Sequence, residues 1–395
     1  MELRELANAL GVENYPAALE EIYKNLPMDD GLICNVDHIT ALNEKYELFK
    51  EYTDLVLRGA RELRENENLY TWARLAYAYC KDVSRYESSK MPIPKSDGSA
   101  AGDMFAALVL TRQIPDAVEL YEKRGFTEAQ IKKNLENIRI NLWVHEITQG
   151  KPSLSQGLFS WLCLYMKALI LDHKGFNYQP ASWEYDSILL KNKVSGEYVF
   201  IMVRGRFSKD GLVLGSVGAT DEEGAFDAEF MEQPDLFFAH RVKDARVQPT
   251  LEKFLKSEWC AVLRPGDDVI GLHIPRHTNL DPDFVSESFK EGFELTKKLF
   301  PEFSPKCIRC YSWLMEPKLV DILGPEAKLS KFTLRFTKHP LRDTSGAGCL
   351  GYVWPGEKCP TEEYSEKTTL QRGIKKLLLE GDFIRSTAGV IVDTL

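Results

Sequence analysis

The sequence predicts an α+β protein, with an all-helical N-terminal domain over residues 1–175 and a mixed β-sheet domain flanked by helices over residues 176–395. Apolar residues recur at helical spacing before about residue 175, whereas short alternating segments separated by turns dominate after it. At 395 residues the chain is also longer than most single hydrophobic cores support. These observations together predict two domains of different class.

Apolar residues in the first half repeat at the three- and four-residue spacing of an α-helix. One predicted helix begins at the capping box Thr127-x-x-Gln130 and ends near Gly150. Its apolar face consists of Ile131, Leu135, Ile138 and Leu142. The next helix is predicted from about Leu154 to Asp172. Residues 1–175 are therefore expected to form an irregular helical bundle.

Short strands separated by turns dominate the second half. A hairpin is predicted around Val194-Ser195-Gly196, and an antiparallel hairpin is predicted to join residues 258–263 to 269–275 through Arg264-Pro265-Gly266-Asp267. Further strands are expected at residues 212–217, 225–230, 306–315, 331–339, 349–354 and 387–392. Helices are expected at residues 250–256, 281–300, 317–323 and 369–380. This order predicts one mainly antiparallel, partly parallel sheet.

The segment from Asp267 to Ser312 reads as strand, short loop, long helix and second strand. The helix is expected to begin at Asp281-Pro282-Asp283 and to end near Phe300. Unpaired N–H groups and the helix dipole favour an anion at such an N-terminus, and parallel strands joined through a helix bind ligands at their carboxyl ends. The segment therefore predicts a site for an acyl carrier with a pyrophosphate, such as coenzyme A.

The first strand of this segment carries residues that suit chemistry at its end. His273 is a candidate general base, because histidine normally titrates near neutral pH, and the alternative is a hydrogen-bonded histidine in a half-buried sheet. Gly271 indicates either a bulge whose N–H polarises a thioester carbonyl or room for a bulky neighbour. Gly271 and Ile274 are both predicted to contact the cofactor.

An acidic residue and a cysteine pair complete the candidates. Glu184 lies beside aromatic residues near the predicted domain boundary, so its carboxylate is predicted to handle the amine acceptor. Cys307 and Cys310 are three apart on a predicted strand and point to opposite faces, so no metal site is expected. A Cys310 nucleophile with His273 as its base, as in a cysteine hydrolase, is a further alternative.

Composition excludes some function classes. The chain has 59 acidic and 50 basic residues, a net charge of −9, which disfavours binding to nucleic acid or to an anionic membrane surface. It contains no apolar run of about 20 residues and no signal-peptide pattern at its start. Its eight cysteines lack disulfide-scaffold spacing. A cytoplasmic protein is expected.

Several segments carry a resemblance to a known family. They are GKPSLSQGLFSW and LILDHKGFNYQP in the first half, and VIGLHIP, LDPDFVSESF, LFPEF, CYSWLM, KFTLRF and TTLQRGIKKLLLEGD in the second. With them the chain resembles a bacterial acyltransferase-like family that has a helical N-acyltransferase N-terminal domain and a GNAT-like C-terminal domain. The resemblance spans most of residues 110–390, and CYSWL and TTLQR are its most specific parts.

The resemblance implies a fold and a cofactor. In GNAT proteins acyl-CoA lies where two adjacent parallel strands part, and its pyrophosphate sits on the loop before the crossover helix. In this chain the loop is 275–280, so Arg276, His277, Thr278 and Asn279 are expected to bind the phosphates. GNAT loops usually contain spaced glycines, and this loop contains none. Side-chain charge would have to replace close backbone approach.

The function implied is acyl-CoA-dependent transfer of an acyl group, by direct attack, to an amine of a small-molecule or peptide acceptor. By the same resemblance, Tyr311 is expected to protonate the leaving thiolate, and Ser312 is a candidate cofactor contact. The simpler interpretation is that Cys310, Ser312 and Trp313 pack against the crossover helix, without a catalytic role. The alternative function is a non-catalytic, GNAT-shaped binding module that has lost its phosphate loop.

Overall fold

The computed structural model describes residues 2–82, 87–221 and 223–392. Contacts within the chain divide it into two compact units, Met1–Asp172 and His173–Leu395. The first unit is helical, and the second is a mixed β-sheet domain flanked by helices, so the predicted fold class is confirmed. None of the helices in the described residues is long and apolar enough to span a membrane.

The first unit is a bundle around one long helix. Its helices are α1 (Leu3–Ala9), α2 (Ala18–Lys24), α3 (Val36–Tyr46), α4 (Thr53–Glu65), α5 (Glu67–Asp82), α6 (Ala100–Arg124), α7 (Glu128–Leu135), α8 (Asn137–Gln149) and α9 (Gln156–Met166). Helix α6 packs on α4, α5 and α9 and is buried along most of its length. The capping box of Thr127 and Gln130 opens α7 as predicted.

Helix α9 ends earlier than the sequence predicts. Lys167 is its C-cap, and Ala168 adopts a left-handed φ of 50°, which a continuing helix cannot contain. Residues 171–173 then form strand β1 (Leu171–His173), not the last turn of a helix.

The second unit contains the remaining strands and helices. The strands are β2 (Phe176–Ser182), β3 (Ser187–Asn192), β4 (Tyr198–Met202), β5 (Arg206–Phe207), β6 (Phe226–Asp227), β7 (Phe230–Glu232), β8 (Leu236–Lys243), β9 (Arg246–Leu255), β10 (Trp259–Leu263), β11 (Asp268–His273), β12 (Ile308–Ser312), β13 (Thr337–His339) and β14 (Thr387–Ile391). The helices are α10 (Pro282–Leu299), α11 (Lys318–Leu323), α12 (Lys328–Leu334), α13 (Leu350–Val353) and α14 (Thr369–Leu379).

The strands form two main sheets. The first has the order β1-β2-β11-β12-β14-β13, in which β11 and β12 are parallel and the pairs β2–β11, β12–β14 and β13–β14 are antiparallel. The second has the order β10-β3-β4-β8-β7, with β9 also paired to β8. Buried residues of both sheets, among them Trp183, Phe200, Val269 and Val390, share one core cluster.

Helix α10 packs closely on the other face of the first sheet. A Cβ at Gly292 would lie 2.2 Å from Cζ of the buried Tyr178, so only glycine admits this ring. The Tyr178 hydroxyl lies 2.7 Å from Ser288 Oγ and donates to the Ser288 carbonyl at 2.8 Å. The small residues Ser288 and Gly292 therefore allow α10 to pack closely on the sheet.

Two predicted elements are wrong, one because a turn lacks its usual residues and one because its two strands pair with other partners. Residues 250–256 form part of β9, not a helix, since Asp244 and Ala245 both have positive φ and turn the chain tightly from β8 into β9. Strands β10 and β11 do not form a hairpin, because β10 pairs with β3 and β11 with β2. The connection from β2 to β3 and the connection from β10 to β11 each cross from one sheet to the other. They meet where Trp183 N–H donates to the Asp267 carbonyl at 2.8 Å.

Two further predicted strands are also wrong, and a third, at residues 331–339, is correct only over its last three residues, which form β13. Residues 331–334 belong to α12, since Phe332 and Phe336 are buried with ring centroids 5.3 Å apart, whereas the intervening Leu334 is 57% exposed. Apolar residues four apart satisfy a helix as well as a strand. Residues 350–353 form the short helix α13, and residues 212–217 form turns.

Candidate functional site

The parallel strands β11 and β12 stop pairing with each other before either strand ends. Their register runs from Ile270–Ile308 to Leu272–Cys310. Beyond that point His273 still pairs with Asn177 of β2, while Tyr311 and Ser312 still pair with β14. The next pairs in register, His273 with Tyr311 and Ile274 with Ser312, are not formed. Pairing between β11 and β12 therefore ends at Leu272 and Cys310, and the unpaired stretch beyond these two residues forms an opening in the ladder at residues that the sequence predicts for the site.

The backbone N–H of Ile274 faces this opening. In the ladder Ile270 N–H donates to the Cys307 carbonyl of the β12 side at 2.9 Å, and the same alternation, continued one residue past the end of β11, directs Ile274 N–H toward β12. Among the described residues no group accepts a hydrogen bond from Ile274 N–H. A ligand oxygen placed between the strands would find this donor available.

His273 lies beside the opening but does not titrate as expected. Its Nε2 lies 2.9 Å from Gln179 Oε1 and donates to it, since an amide oxygen only accepts. Burial, with a smaller effect of the positive charge of Arg309, lowers the pKa of His273 to about 4. The expectation of a pKa near neutrality is therefore wrong, because the site is less solvated than an open strand end. At pH 7 the ring is neutral.

Gly271 lies beside Arg309. The pairing of β11 is continuous across Gly271 on both sides, so the strand has no bulge there. A Cβ at this position would lie 3.8 Å from Arg309 Nη2, so a longer side chain would occupy the place of the guanidinium. Of the two sequence interpretations, the bulge is wrong, and room for a neighbour stays a prediction, since a Cβ here would make only contacts of 3.5 Å or longer.

The loop 275–280 reaches α10 without glycine. His277 adopts a left-handed φ of 62°, a conformation that glycine usually supplies. The Thr278 hydroxyl lies 2.7 Å from the Pro275 carbonyl and 2.8 Å from that of Gly175, and Asn279 Oδ1 accepts from Asp281 N–H at 3.0 Å. Side-chain hydrogen bonds therefore hold this loop in shape without glycine. This weakens the interpretation that the chain has lost its phosphate loop.

Arg276 holds the loop to another segment. Its guanidinium donates to the carbonyls of Gly351 and Tyr352 and lies 5.0 Å from the centroid of the Tyr352 ring. Burial lowers its pKa. Arg276 thus anchors the loop to α13, so its main role in this structure is to position the loop.

Tyr311 and Ser312 lie on opposite faces of β12. Tyr311 is 56% exposed and pairs with Ala388, on the face of His273. Ser312 pairs with Thr387, and its Oγ accepts from Leu314 N–H at 3.1 Å, which caps a short 3₁₀ helix. A structural role therefore accounts for Ser312, whereas Tyr311 is exposed on the face of the sheet that carries His273.

Glu184 is not brought together with His273. It follows Ser182, which pairs with Asp268 at the start of β11, whereas His273 ends that strand. Five residues of strand, about 17 Å, separate these positions. Glu184 is exposed and lies within the second unit, in the connection from β2 to β3. The sequence argument failed because it took this connection for a domain junction.

The cysteine alternative is not supported by the structure. Cys310 is buried, and burial raises the pKa of its thiol to about 12. It is paired with Leu272, so it faces away from His273. No group of three or more potential metal ligands occurs among the described residues.

Two residues that the sequence analysis missed, Gln179 and Arg309, contribute to the site. Gln179 pairs with Gly271 across the sheet and orients the ring of His273. Arg309 is paired with Gly271 from the other side, so it shares this face. The available signal was a charged residue between the apolar Ile308 and Cys310 on a predicted strand.

Family models match both halves of the chain. The N-acyltransferase N-terminal domain matches residues 37–168, and the GNAT-like C-terminal domain matches residues 218–391. This chain belongs to the acyltransferase-like family that combines these two domains. The parted parallel strands thus lie in its GNAT-like domain. No curated protein matches the sequence.

Several solved structures share the fold. An acyltransferase in complex with decanoyl-CoA is 16% identical, and one in complex with decanoyl-CoA and teicoplanin is 14% identical. A mutant acyltransferase in complex with octanoyl-CoA is 13% identical. In each comparison 99% of both chains is covered, with a TM-score of 0.67. At this identity the likeness establishes the fold.

Proposed function

We propose that this protein is an acyl-CoA-dependent N-acyltransferase that moves an acyl group to an amine by direct attack. The observation that carries the proposal is the parting of β11 and β12, with Ile274 N–H directed into the opening. Structures of the same fold bind octanoyl-CoA and decanoyl-CoA, and one also contains teicoplanin. These relatives favour a medium-chain acyl donor and a small-molecule or peptide acceptor.

The thioester would lie across the opening. Its carbonyl oxygen accepts from Ile274 N–H, which stabilises the oxyanion that forms on attack. The amine nitrogen bonds to the carbonyl carbon, and the C–S bond breaks. Phosphates lie toward the loop 275–280 and the N-terminus of α10, where Thr278 and Asn279 hold the backbone in place.

Two side chains would move protons. A neutral His273 with a pKa of about 4 is too weak a base to deprotonate an ammonium ion, so the amine arrives as its free base. After attack the amine nitrogen becomes strongly acidic, and His273 accepts its proton. Tyr311 donates a proton to the leaving thiolate, and solvent restores both groups. The products are an amide and free CoA.

The surroundings suit this activity. The cysteines of the chain, eight in number, are free thiols, as expected in a reducing compartment, and we place the reaction in the cytoplasm. The alternative of a non-catalytic module rested on the glycine-free loop. Because His277 already has the backbone conformation of a glycine, the loop does not favour that alternative.

Thermal unfolding with CoA, acetyl-CoA, octanoyl-CoA and decanoyl-CoA tests the donor site. A ligand at about 100 times its Kd should stabilise the protein by about 2.7 kcal/mol. A thiol-release assay with an amine panel then tests transfer, and Tyr311→Phe should lower kcat by about 100-fold or more. Tyr198→Phe, outside the opening, is the matched control. Absence of stabilisation by every CoA compound would refute the proposal.

A further inference from the structure

Arg309 is a partly buried cation that lacks a carboxylate. Nη1 donates to the Ser182 carbonyl at 3.2 Å, Nε is buried without an acceptor, and no described acidic group lies within ion-pair distance. Among other arginines of low exposure, Arg112, Arg139 and Arg385 each have a carboxylate within 4 Å, whereas Arg276 donates to two backbone carbonyls instead. An arginine is rarely buried without such a partner, because desolvation of the charge is costly.

The guanidinium lies on the face of the sheet that α10 does not cover. Helix α10 packs on the face that carries Tyr178 and its partner Leu272, whereas Arg309 and its partner Gly271 lie on the opposite face, with His273. The Tyr185 ring centroid is 5.9 Å from the guanidinium carbon. Since the phosphates of the donor are assigned to the α10 side, they do not neutralise Arg309.

A second unpartnered donor lies on the same face. Asn177 is 3% exposed, and its Nδ2 is buried without a described acceptor. It pairs directly with His273. A buried amide without a hydrogen bond is as unusual as a buried arginine without an anion. Both groups are donors, so a ligand that completes them brings acceptor oxygens.

We propose that the acceptor is an amine that also carries a carboxylate, such as an amino acid or the terminal residue of a peptide, and that Arg309 binds this carboxylate. The inference rests on the proposed transferase function and names its substrate class. The Arg309 charge repels an ammonium ion and attracts the carboxylate, so the same residue selects the free amine and orients it toward His273. Glu184, at the other end of β11, does not contribute.

The test compares matched acceptors with octanoyl-CoA as the donor. Glycine, β-alanine and glycylglycine are each paired with their own primary amide, and rates are expressed per concentration of free base. The wild-type protein should use each carboxylate form with a kcat/KM at least about 10-fold above that of its amide, since hydrogen bonds to a charged group typically contribute this much.

Variants assign the preference to Arg309. Arg309→Met should raise KM for the carboxylate forms by about 10- to 100-fold, so that the ratio of kcat/KM between each carboxylate form and its amide falls toward one. Arg309→Lys should retain part of the preference, and Arg204→Met, at an exposed arginine, should retain all of it. Circular dichroism checks that Arg309→Met folds. The comparison of carboxylate forms with their amides in the wild-type protein does not depend on this variant.

Each outcome of these assays either supports or refutes the anion site at Arg309. Stabilisation by acyl-CoA with equal use of carboxylates and amides overturns the anion site and leaves the transferase standing. A preference that survives in Arg309→Met also overturns it. If no acyl-CoA stabilises the protein, the transferase fails, and this inference fails with it.

Discussion

Lowering the pH from 7 to 5 should destabilise the GNAT-like unit by about 4 kcal/mol through two histidines. Burial lowers the pKa of His273 to about 4 and that of His339 to about 3. His339 is 3% exposed and lies among aromatic rings, with the centroids of Phe200 at 5.1 Å and Trp183 at 5.3 Å.

The sign and size follow from proton uptake. Near pH 5 an unfolded histidine, with a pKa of about 6.5, is almost fully protonated, while both native rings remain neutral. The unfolded state binds more protons, so stability falls as pH falls below about 6.5 and the loss is complete below the folded pKa values. At about 1.36 kcal/mol per pH unit, the fall to pH 5 costs about 2 kcal/mol for each histidine.

Urea unfolding at pH 7 and pH 5 measures this loss. His339→Phe fills the aromatic surroundings without a titrating group, so it should remove about 2 kcal/mol of the pH dependence whatever its effect at pH 7. Comparison of variant with wild type cancels the contribution of His38 in the helical unit, whose pKa burial also lowers. An equal pH dependence in the two proteins would refute the reasoning.

Substitutions at two glycines, Gly292 and Gly271, test the packing around the site. Gly292→Ala should destabilise the protein by about 1–5 kcal/mol. A Cβ 2.2 Å from Tyr178 forces the buried ring away from Ser288, and this cost exceeds the gain in helix propensity of about 1 kcal/mol that alanine brings. Gly351→Ala, with no atom within 4 Å of the new Cβ, is its control in urea unfolding, and equal midpoints would contradict the argument. Gly271→Ala should keep transferase activity because its new contacts are 3.5 Å or longer, whereas Gly271→Leu, which displaces Arg309, should lower kcat/KM by at least about 10-fold. Similar kinetics for the two Gly271 variants would show that the space is not needed.

The elements that local patterns determine were predicted correctly. The capping box at Thr127, the helix from Asp281 and the strand at Thr387 follow from residues a few positions apart. Errors came where a turn lacked its usual residues, as at Asp244-Ala245, or where one pattern suited two structures, as in residues 331–336. Tertiary packing then decides between them.

The ends of the two parallel strands were predicted in the right place, whereas the chemical surroundings of the candidate residues there were predicted less well. His273, Ile274 and Tyr311 flank the opening because strand order places them there. The partners of these residues come from distant parts of the sequence: Gln179 orients His273, and the carbonyls of Gly351 and Tyr352 occupy Arg276. Burial lowers the pKa of His273, and that burial depends on neighbours that no local spacing reveals.

The opening between β11 and β12 results from what each strand does on its outer side. If either strand simply ended at Leu272 or Cys310, the loss of pairing would be an ordinary sheet end. Instead β2 holds β11 through His273, and β14 holds β12 through Ser312, so the two strands are kept apart while both remain rigid. A donor fixed on a rigid strand costs little to reorganise when charge develops on an oxygen beside it. This is why the free N–H of Ile274, more than any side chain of the site, argues for chemistry at this point.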